Sequence, residues 1–265
     1  MTVAVTTPWK TGFQRPEARG SVVILGRVKT STTELGHHAH PDSGVHPGVV
    51  LIHDVWGLAD HTRDLAGRLA SEGYAVLAVD LYRRQQNVEI ADPGEFMRGL
   101  SDPLAVADVQ AGIDFLAEHP ASAGRPAGVV GFCMGGMVAL LAACECDGLS
   151  AAVPYYGLLS HTHGILYTEE GLDPALKPRE PLAAAADLRC PLFGIFGGLD
   201  TFIPKQDLDA LERTLAKTPH ETEIAVYPAA GHAFLNDTRP DAYRKDDATH
   251  AWSRMLSFLS QHLQS

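Results

Sequence analysis

Short apolar β-type runs that alternate with longer amphipathic helical patterns constrain the fold of this chain more than any single residue does. Val49 to His53 (VVLIH) reads as a buried strand, and Thr62 to Glu72 as an amphipathic helix with Leu65 and Leu69 on one face. Gly73 ends that helix, and Tyr74 to Val79 (YAVLAV) is the next strand. A helix from about Ala105 to Glu118 follows, then strand Gly128–Phe132, helix Gly135–Ala143 and strand Ala151–Tyr155. The last third continues with strand Leu192–Phe196, helix Lys205–Ala216, strand Glu223–Tyr227 and a closing helix from about Ala242 to His262. Strands separated by helices imply right-handed crossovers and a mostly parallel sheet covered by helices on both faces. Ser21–Val28 is expected to add an antiparallel edge strand. No internal repeat and no linker divides the chain. Residues 1–265 therefore read as one α/β domain, a size that such folds hold in a single core.

Three stretches carry neither periodicity. His37–Pro47 (HHAHPDSGVHP) reads as a polar, turn-rich connection. Its His37, His38, His40 and His46 could ligate zinc, but the expectation is a solvated loop and no native metal site. Arg84–Pro103 and His161–Leu188 read as long connections rich in Gly and Pro. Both leave carboxyl ends of strands, where parallel sheets carry their reaction sites, so both are expected to shape a pocket.

The charge balance narrows the partners. A formal net charge of −11, with no Lys/Arg-rich run to offset it, speaks against nucleic acid, whose binding draws on a positive field. The segment MTVAVTTPWKTGFQRPEARG lacks the pattern of a secretory signal, and no apolar run is long enough to cross a bilayer. A cytoplasmic protein with no membrane partner is expected, a monomer or small homo-oligomer. Cys144 and Cys146 follow an apolar helical stretch and Cys190 precedes Pro191, so these three read as structural thiols.

Cys133 is different. It stands in Gly131-Phe132-Cys133-Met134-Gly135-Gly136, between an apolar strand and a helical pattern. A G-x-nucleophile-x-G turn holds its central residue in a strained conformation at a strand end, where side chains at the flanking positions would collide with neighbouring backbone. The helix that follows presents its N-terminus there, favouring a thiolate and offering N–H groups to an oxyanion. Such a cysteine needs a base, and the base needs an orienting acid. Asp200 follows strand Leu192–Phe196 in Gly197-Gly198-Leu199-Asp200, and His232 follows strand Glu223–Tyr227 in Ala230-Gly231-His232-Ala233-Phe234. Nucleophile, acid and histidine thus come in the order of the α/β-hydrolase fold, at three strand ends. The duller alternatives are a helix-capping Asp200 and a core His232.

Together these segments resemble the dienelactone hydrolase family, cysteine-dependent members of the α/β-hydrolase superfamily. The resemblance runs from about Pro47 to the closing helix. It rests on His53-Asp54-Val55-Trp56-Gly57-Leu58, Asp80-Leu81-Tyr82, the elbow around Cys133, Tyr155-Tyr156-Gly157, Gly197-Gly198-Leu199-Asp200 and Ala230-Gly231-His232-Ala233-Phe234. It implies a carboxylic ester hydrolase without cofactor, acting on a small ester or lactone through Cys133, His232 and Asp200. It also implies a thiol-activating carboxylate at Asp54, where the family commonly has Glu, and an oxyanion hole from the backbone N–H groups of Val55 and Met134. Substrate contacts fall to Arg84, Tyr82, Trp56 and Tyr156. Of the two arginines that the family uses for a substrate carboxylate, Arg84 matches the first. Asn236 stands where the second belongs, with Arg239 nearby.

Two other functions remain open at this point. One is an acyltransferase or C–C hydrolase on the same triad, separable by product analysis with competing nucleophiles. The other is a non-catalytic ligand-binding protein of the same fold, whose sign would be a missing triad member or a filled elbow.

Overall fold

A computed structural model describes residues 23–25 and 28–264. Among them, nine strands form one sheet: β1 (Val23–Leu25), β2 (Val28–Thr32), β3 (Gly36–Pro41), β4 (Gly48–Ile52), β5 (Ala75–Val79), β6 (Ala127–Phe132), β7 (Leu149–Tyr155), β8 (Leu192–Gly197) and β9 (Thr222–Tyr227). Their spatial order is β1-β2-β3-β5-β4-β6-β7-β8-β9, antiparallel through β1, β2, β3 and β5 and parallel from β5 to β9. The expected N-terminal edge strand is present as β1; Ser21, Val22, Gly26 and Arg27 lie outside the described residues.

The helices are α1 (Asp60–Ser71), α2 (Pro93–Gly99), α3 (Asp102–Glu118), α4 (Met134–Glu145), α5 (Pro181–Ala184), α6 (Lys205–Leu215) and α7 (Lys245–Leu263). The two-residue alternation of a strand shows how they cover the sheet. A Cβ placed on Gly48 of β4 would meet Leu116 of α3 and its parallel neighbour Ala127, whereas one on Gly128 would meet Leu259 and Leu263 of α7. Ala127 and Gly128 are successive residues of β6, so α3 and α7 lie on opposite faces. Double cover explains why every residue of β4, β5, β6 and β8 is buried, and why those strands read as unbroken apolar runs. β9 is an edge, with Val226 exposed.

The solvated histidine loop needs correction. Gly36–Pro41 is strand β3, paired with β2 on one side and β5 on the other, and His38 is 1% exposed. A run of imidazoles looks polar in a sequence, but a neutral imidazole packs as an aromatic ring. His38 stacks on His40 at 4.9 Å and meets Phe115 and His119 edge-on. Burial first, then the neighbouring histidines, pulls His38 down to about 3. Among the described residues, no group of His, Cys, Asp and Glu is arranged to hold a metal ion.

That depressed basicity sets an expected pH dependence. Free His titrates near 6.5, so as pH falls from 6.5 toward 3 the unfolded chain takes up a proton at His38 that the folded chain refuses. The group's stabilising contribution is complete above pH 6.5 and declines below it by about 1.4 kcal/mol per pH unit. Urea unfolding from pH 7 to pH 4 should therefore show the native protein losing stability faster than His38→Phe, by roughly that slope. Parallel curves would refute it.

Two further elements arise where only irregular chain was expected. Within Arg84–Pro103, the Asp92 carboxylate accepts the Glu95 N–H at 2.7 Å and Pro93 opens α2. Likewise Ser101 caps α3 through the Leu104 N–H, so that helix starts at Asp102, three residues ahead of the expected Ala105. His161–Leu188 is mainly irregular chain with α5 near its end. It is tied down by Glu180, which accepts from Ser160 Oγ and the His161 N–H, and by a buried Lys177–Asp102 pair.

Candidate active site

Six parallel strand ends, those of β4 to β9, bring the candidate residues to one edge. Cys133 joins β6 to α4 at φ 57° and ψ −117°, a backbone region costly for any side chain but glycine. Its surroundings leave no other path. A Cβ on Gly131 would lie 2.0 Å from the Gly135 carbonyl oxygen, and one on Gly136 would lie 2.4 Å from that of Tyr155. The elbow is held by Cys133 N–H donating to Tyr155 O at 3.0 Å and by Met137 N–H donating to Cys133 O at 3.1 Å. Cys133 is partly exposed, whereas Cys144, Cys146 and Cys190 are buried and each pushed up to about 12 by that burial. Only Cys133 among the four is both reachable and at a helix N-terminus.

Asp200 and His232 meet. His232 Nδ1 lies 2.7 Å from Asp200 Oδ2, while Asp200 Oδ1 accepts the Phe202 N–H at 2.9 Å. The capping alternative for Asp200 is not realised, because the N-cap of α6 is Pro204 and no side chain caps that helix. Close backbone approach makes the pairing: a Cβ on Gly197 would fall 2.5 Å from Ala230 O and 2.7 Å from Gly231 O, so the acid loop and the histidine loop touch through glycine. The His232 ring sits between Tyr156 and Phe202, edge-on to each at 5.1 and 5.0 Å. Burial alone would disfavour its charged form, but the neighbouring Cys133 and the Asp200 hydrogen bond outweigh it and raise His232 to about 10. Nε2 is buried and meets no strict hydrogen-bond geometry among the described residues, yet Cys133 is near enough to raise the ring, so that nitrogen faces the Cys133 sulfur.

The loop after β4 supplies the opposite wall. Asp54 Oδ1 accepts the Trp56 N–H at 2.9 Å. Burial raises the Asp54 carboxyl, against the Trp56 N–H, His53, His61 and Arg239. His53 sets this loop. Its Nδ1 donates to Asp54 O at 2.6 Å and its Nε2 accepts the Leu81 N–H at 3.1 Å, a fully buried neutral ring joining the ends of β4 and β5. Tyr82 donates to Val55 O at 2.8 Å and lies 3.4 Å from Met134 Sδ, so its buried hydroxyl ties together the two residues expected to form an oxyanion hole. Met134 opens α4, where first-turn N–H groups have no intrahelical acceptor.

The substrate-contact expectations fall out unevenly. Trp56 is half-buried against the core, Tyr156 is buried beside His232, and Arg84 is turned to Asp108, which it meets at 2.5 and 2.6 Å. Arg83 binds the same carboxylate. Three residues important to the geometry went unassigned in the sequence. Phe202 carried a readable signal, two residues beyond the acid. His53 stood within a motif but without a role. Asp108, mid-helix and far from Arg84 in the chain, had no local signal.

The dienelactone hydrolase family model matches residues 35–263. The chain belongs to the dienelactone hydrolase family. A Yersinia pestis protein provisionally named carboxymethylenebutenolidase is 33% identical over 230 residues, covering 84% of this chain and 82% of that protein. A Bradyrhizobium protein, provisionally a 2-oxo-3-(5-oxofuran-2-ylidene)propanoate lactonase, is 30% identical over 220 residues, with 82% and 84% covered. The crystal structure of a provisionally named dienelactone hydrolase from Klebsiella pneumoniae superposes with a TM-score of 0.75 at 30% identity, covering 88% of this chain and 93% of that one. This dienelactone hydrolase family member is a carboxylic ester hydrolase with the α/β-hydrolase fold. No helix among its described residues is long and apolar enough to cross a membrane.

Proposed function

We propose that this protein cleaves a small ester or lactone by acyl transfer to Cys133. The observation that carries the proposal is the 2.7 Å Asp200–His232 bond beside a strained, partly exposed cysteine at a helix N-terminus. His232 Nε2 takes the thiol proton, helped by Asp54, and the thiolate sulfur attacks the carbonyl carbon. The oxyanion is held by the N–H groups of Val55 and Met134. As the tetrahedral intermediate collapses, the C–O bond breaks and the leaving oxygen takes the proton from His232. Water then loses a proton to His232 and attacks the thioester, releasing the carboxylic acid and restoring the thiol. Asp200 holds the imidazole with Nε2 turned to the reaction, and its charge stabilises the imidazolium.

Sulfur is the better leaving group when the alcohol is poor, so activated esters and enol lactones are the fitting substrates. A substrate carboxylate that reached Arg84 would meet a guanidinium that already gives two of its five N–H groups to Asp108, a carboxylate it shares with Arg83. Specificity is accordingly assigned to the aromatic surroundings of Trp56, Tyr156 and Phe202.

Limited iodoacetamide treatment followed by peptide mass spectrometry tests the nucleophile. Alkylation should fall on Cys133 and abolish hydrolysis of an aryl ester in proportion, leaving Cys144, Cys146 and Cys190 unmodified. Full activity with Cys133 completely alkylated would overturn the mechanism. Transfer of the acyl group to an added amine or alcohol in preference to water would instead make the protein an acyltransferase on the same residues.

A further inference from the structure

Five polar groups stand in line on the segment that follows β7 and on the helix beside it. Asp207 Oδ1, in the first turn of α6, lies 2.9 Å from His163 Nε2. His163 Nδ1 lies 2.9 Å from Thr162 Oγ1, which lies 2.9 Å from Ser160 Oγ. Ser160 Oγ in turn donates at 2.8 Å to Oε1 of Glu180, at the head of α5. Asp207 and Ser160 are buried, whereas the His163 side chain is 36% exposed. Acyl transfer at Cys133 uses none of these groups.

Counting protons decides the state of the line. Each of its four contacts needs one proton between the two atoms that meet. An ionised carboxylate brings none, each hydroxyl brings one, and a neutral imidazole brings one. Two hydroxyls and one ring N–H serve only three contacts, so a neutral ring leaves lone pairs facing each other at the fourth. The imidazolium supplies the missing proton. Its Nε2–H donates to Asp207 and its Nδ1–H to Thr162, whose hydroxyl donates to Ser160, whose hydroxyl donates to Glu180. A proton on either carboxylate would also close the count, but imidazole is the strongest base of the five. The Asp207 hydrogen bond raises His163 above the usual imidazole value. The charged groups bearing on the ring are Asp207 from α6 and Glu180 from the head of α5, while Lys205 of α6 is paired with Asp209. Gln206 reaches the same Nε2 at 3.1 Å, and its amide, turned over, accepts from that N–H as well. His161, on the other side of Thr162, is held low by burial.

What the line holds down lies against the active site. Gly164, next to His163, stands at φ 73°, and a Cβ on it would fall 2.9 Å from the Phe202 carbonyl oxygen. On its far side Ile165 O accepts from Arg98 Nη1 of α2 at 2.9 Å, and a Cβ on Gly94 would fall 2.8 Å from that same oxygen. The segment after β7 thus ties the segment after β5 to the one after β8. Between β5 and β7 in the sheet lie β4 and β6, whose ends carry Asp54 and Cys133. Phe202, under Gly164, is the ring that stands edge-on to His232 at 5.0 Å.

We propose that His163, as an imidazolium, is a positioning residue of the active site: it clasps the segment 160–166 to α6, and the clasped segment holds Phe202 against the His232 ring. The proposal rests on the reading of His232 as the base. The clasp is complete while His163 carries both protons. It loosens as pH rises through the raised pKa of that ring, and turnover falls with it.

NMR of the histidine ring protons from about pH 5 to about pH 9 tests the clasp without any turnover, so a failure of the Cys133 assignment would leave this measurement standing. His163 should titrate above 6.5, and Asp207→Asn should bring it back toward that value. The His232 signals, shifted by the Phe202 ring, should move with the same midpoint, and that movement should vanish in His163→Ala. In aryl ester hydrolysis, His163→Ala should lower kcat about tenfold at about pH 7 with KM little changed, less than the about 10²-fold that a misplaced reacting group costs. The native enzyme should lose the same factor as His163 deprotonates. His163→Lys keeps a charge and three donors up to about pH 10, so it should restore kcat and extend it on the alkaline side. A His163 pKa at or below 6.5 would overturn the proposal, as would His232 signals that ignore the His163 titration. Native kcat at every pH in His163→Ala, or equal losses in the Ala and Lys variants, would do the same.

Discussion

His232→Ala should lower turnover of an aryl ester at least about 10³-fold while leaving the unfolding midpoint near that of the native protein, since base and nucleophile act as one unit. His232 makes its strongest polar contact with a single partner, Asp200, and the rings beside it, Tyr156 and Phe202, retain other neighbours. Loss of the imidazole therefore removes the proton carrier and not the frame. Asp200→Asn should be severe by a different route. An amide turned toward the ring offers an N–H where the carboxylate offered an acceptor, so the imidazole adopts the tautomer with its proton on Nε2. That nitrogen then cannot take one from Cys133. Steady-state rates of the two variants, set beside their melting curves, measure both effects. A folded His232→Ala enzyme of near-native turnover would mean that some other group serves Cys133.

How far this arrangement is legible in the sequence differs from residue to residue. Asp200 and His232 each follow an apolar strand, and parallel strands deliver their carboxyl ends to one edge, so their meeting follows from topology. The elbow is legible for a local reason: only glycines tolerate the approaches measured at 131, 135 and 136. β3 hides because its burial depends on neutral imidazoles packing on Phe115 and His119, partners from the far end of α3. The starts of α2 and α3 were present as Asp92-Pro93-Gly94-Glu95 and Ser101-Asp102-Pro103, cap signals that the Pro and Gly around them obscure. The Arg84–Asp108 pairing has no such excuse of spelling. A carboxylate on one helix can choose any cation that the fold brings near, and here it holds both Arg83 and Arg84. The Lys177–Asp102 pair is hidden for the same reason, with one partner in the irregular 161–188 segment and the other at a helix start.

Gly135 offers the sharpest test of how closely the elbow must touch the loop opposite. A Cβ there would lie 2.4 Å from the His53 carbonyl oxygen and 2.5 Å from that of Ile52. Both obstacles are backbone, at the end of the central strand β4, so neither can swing aside as a side chain would. Relief requires β4 and the first turn of α4 to move apart, and these two segments carry Asp54 and Val55 on one side and Cys133 and Met134 on the other. Gly135→Ala should therefore cost at least about 10²-fold in kcat/KM, since misplacement of about 1 Å at a reacting centre has that consequence. It should also lower the unfolding midpoint. Gly67→Ala is the matched control: it lies inside α1, where a new Cβ meets nothing within 4 Å. Alanine gains about 0.5–1 kcal/mol over glycine in a helix interior, so this variant should melt slightly higher and keep its activity. If Gly135→Ala keeps native activity while Gly67→Ala behaves as expected, the oxyanion donors cannot depend on contact between α4 and the end of β4.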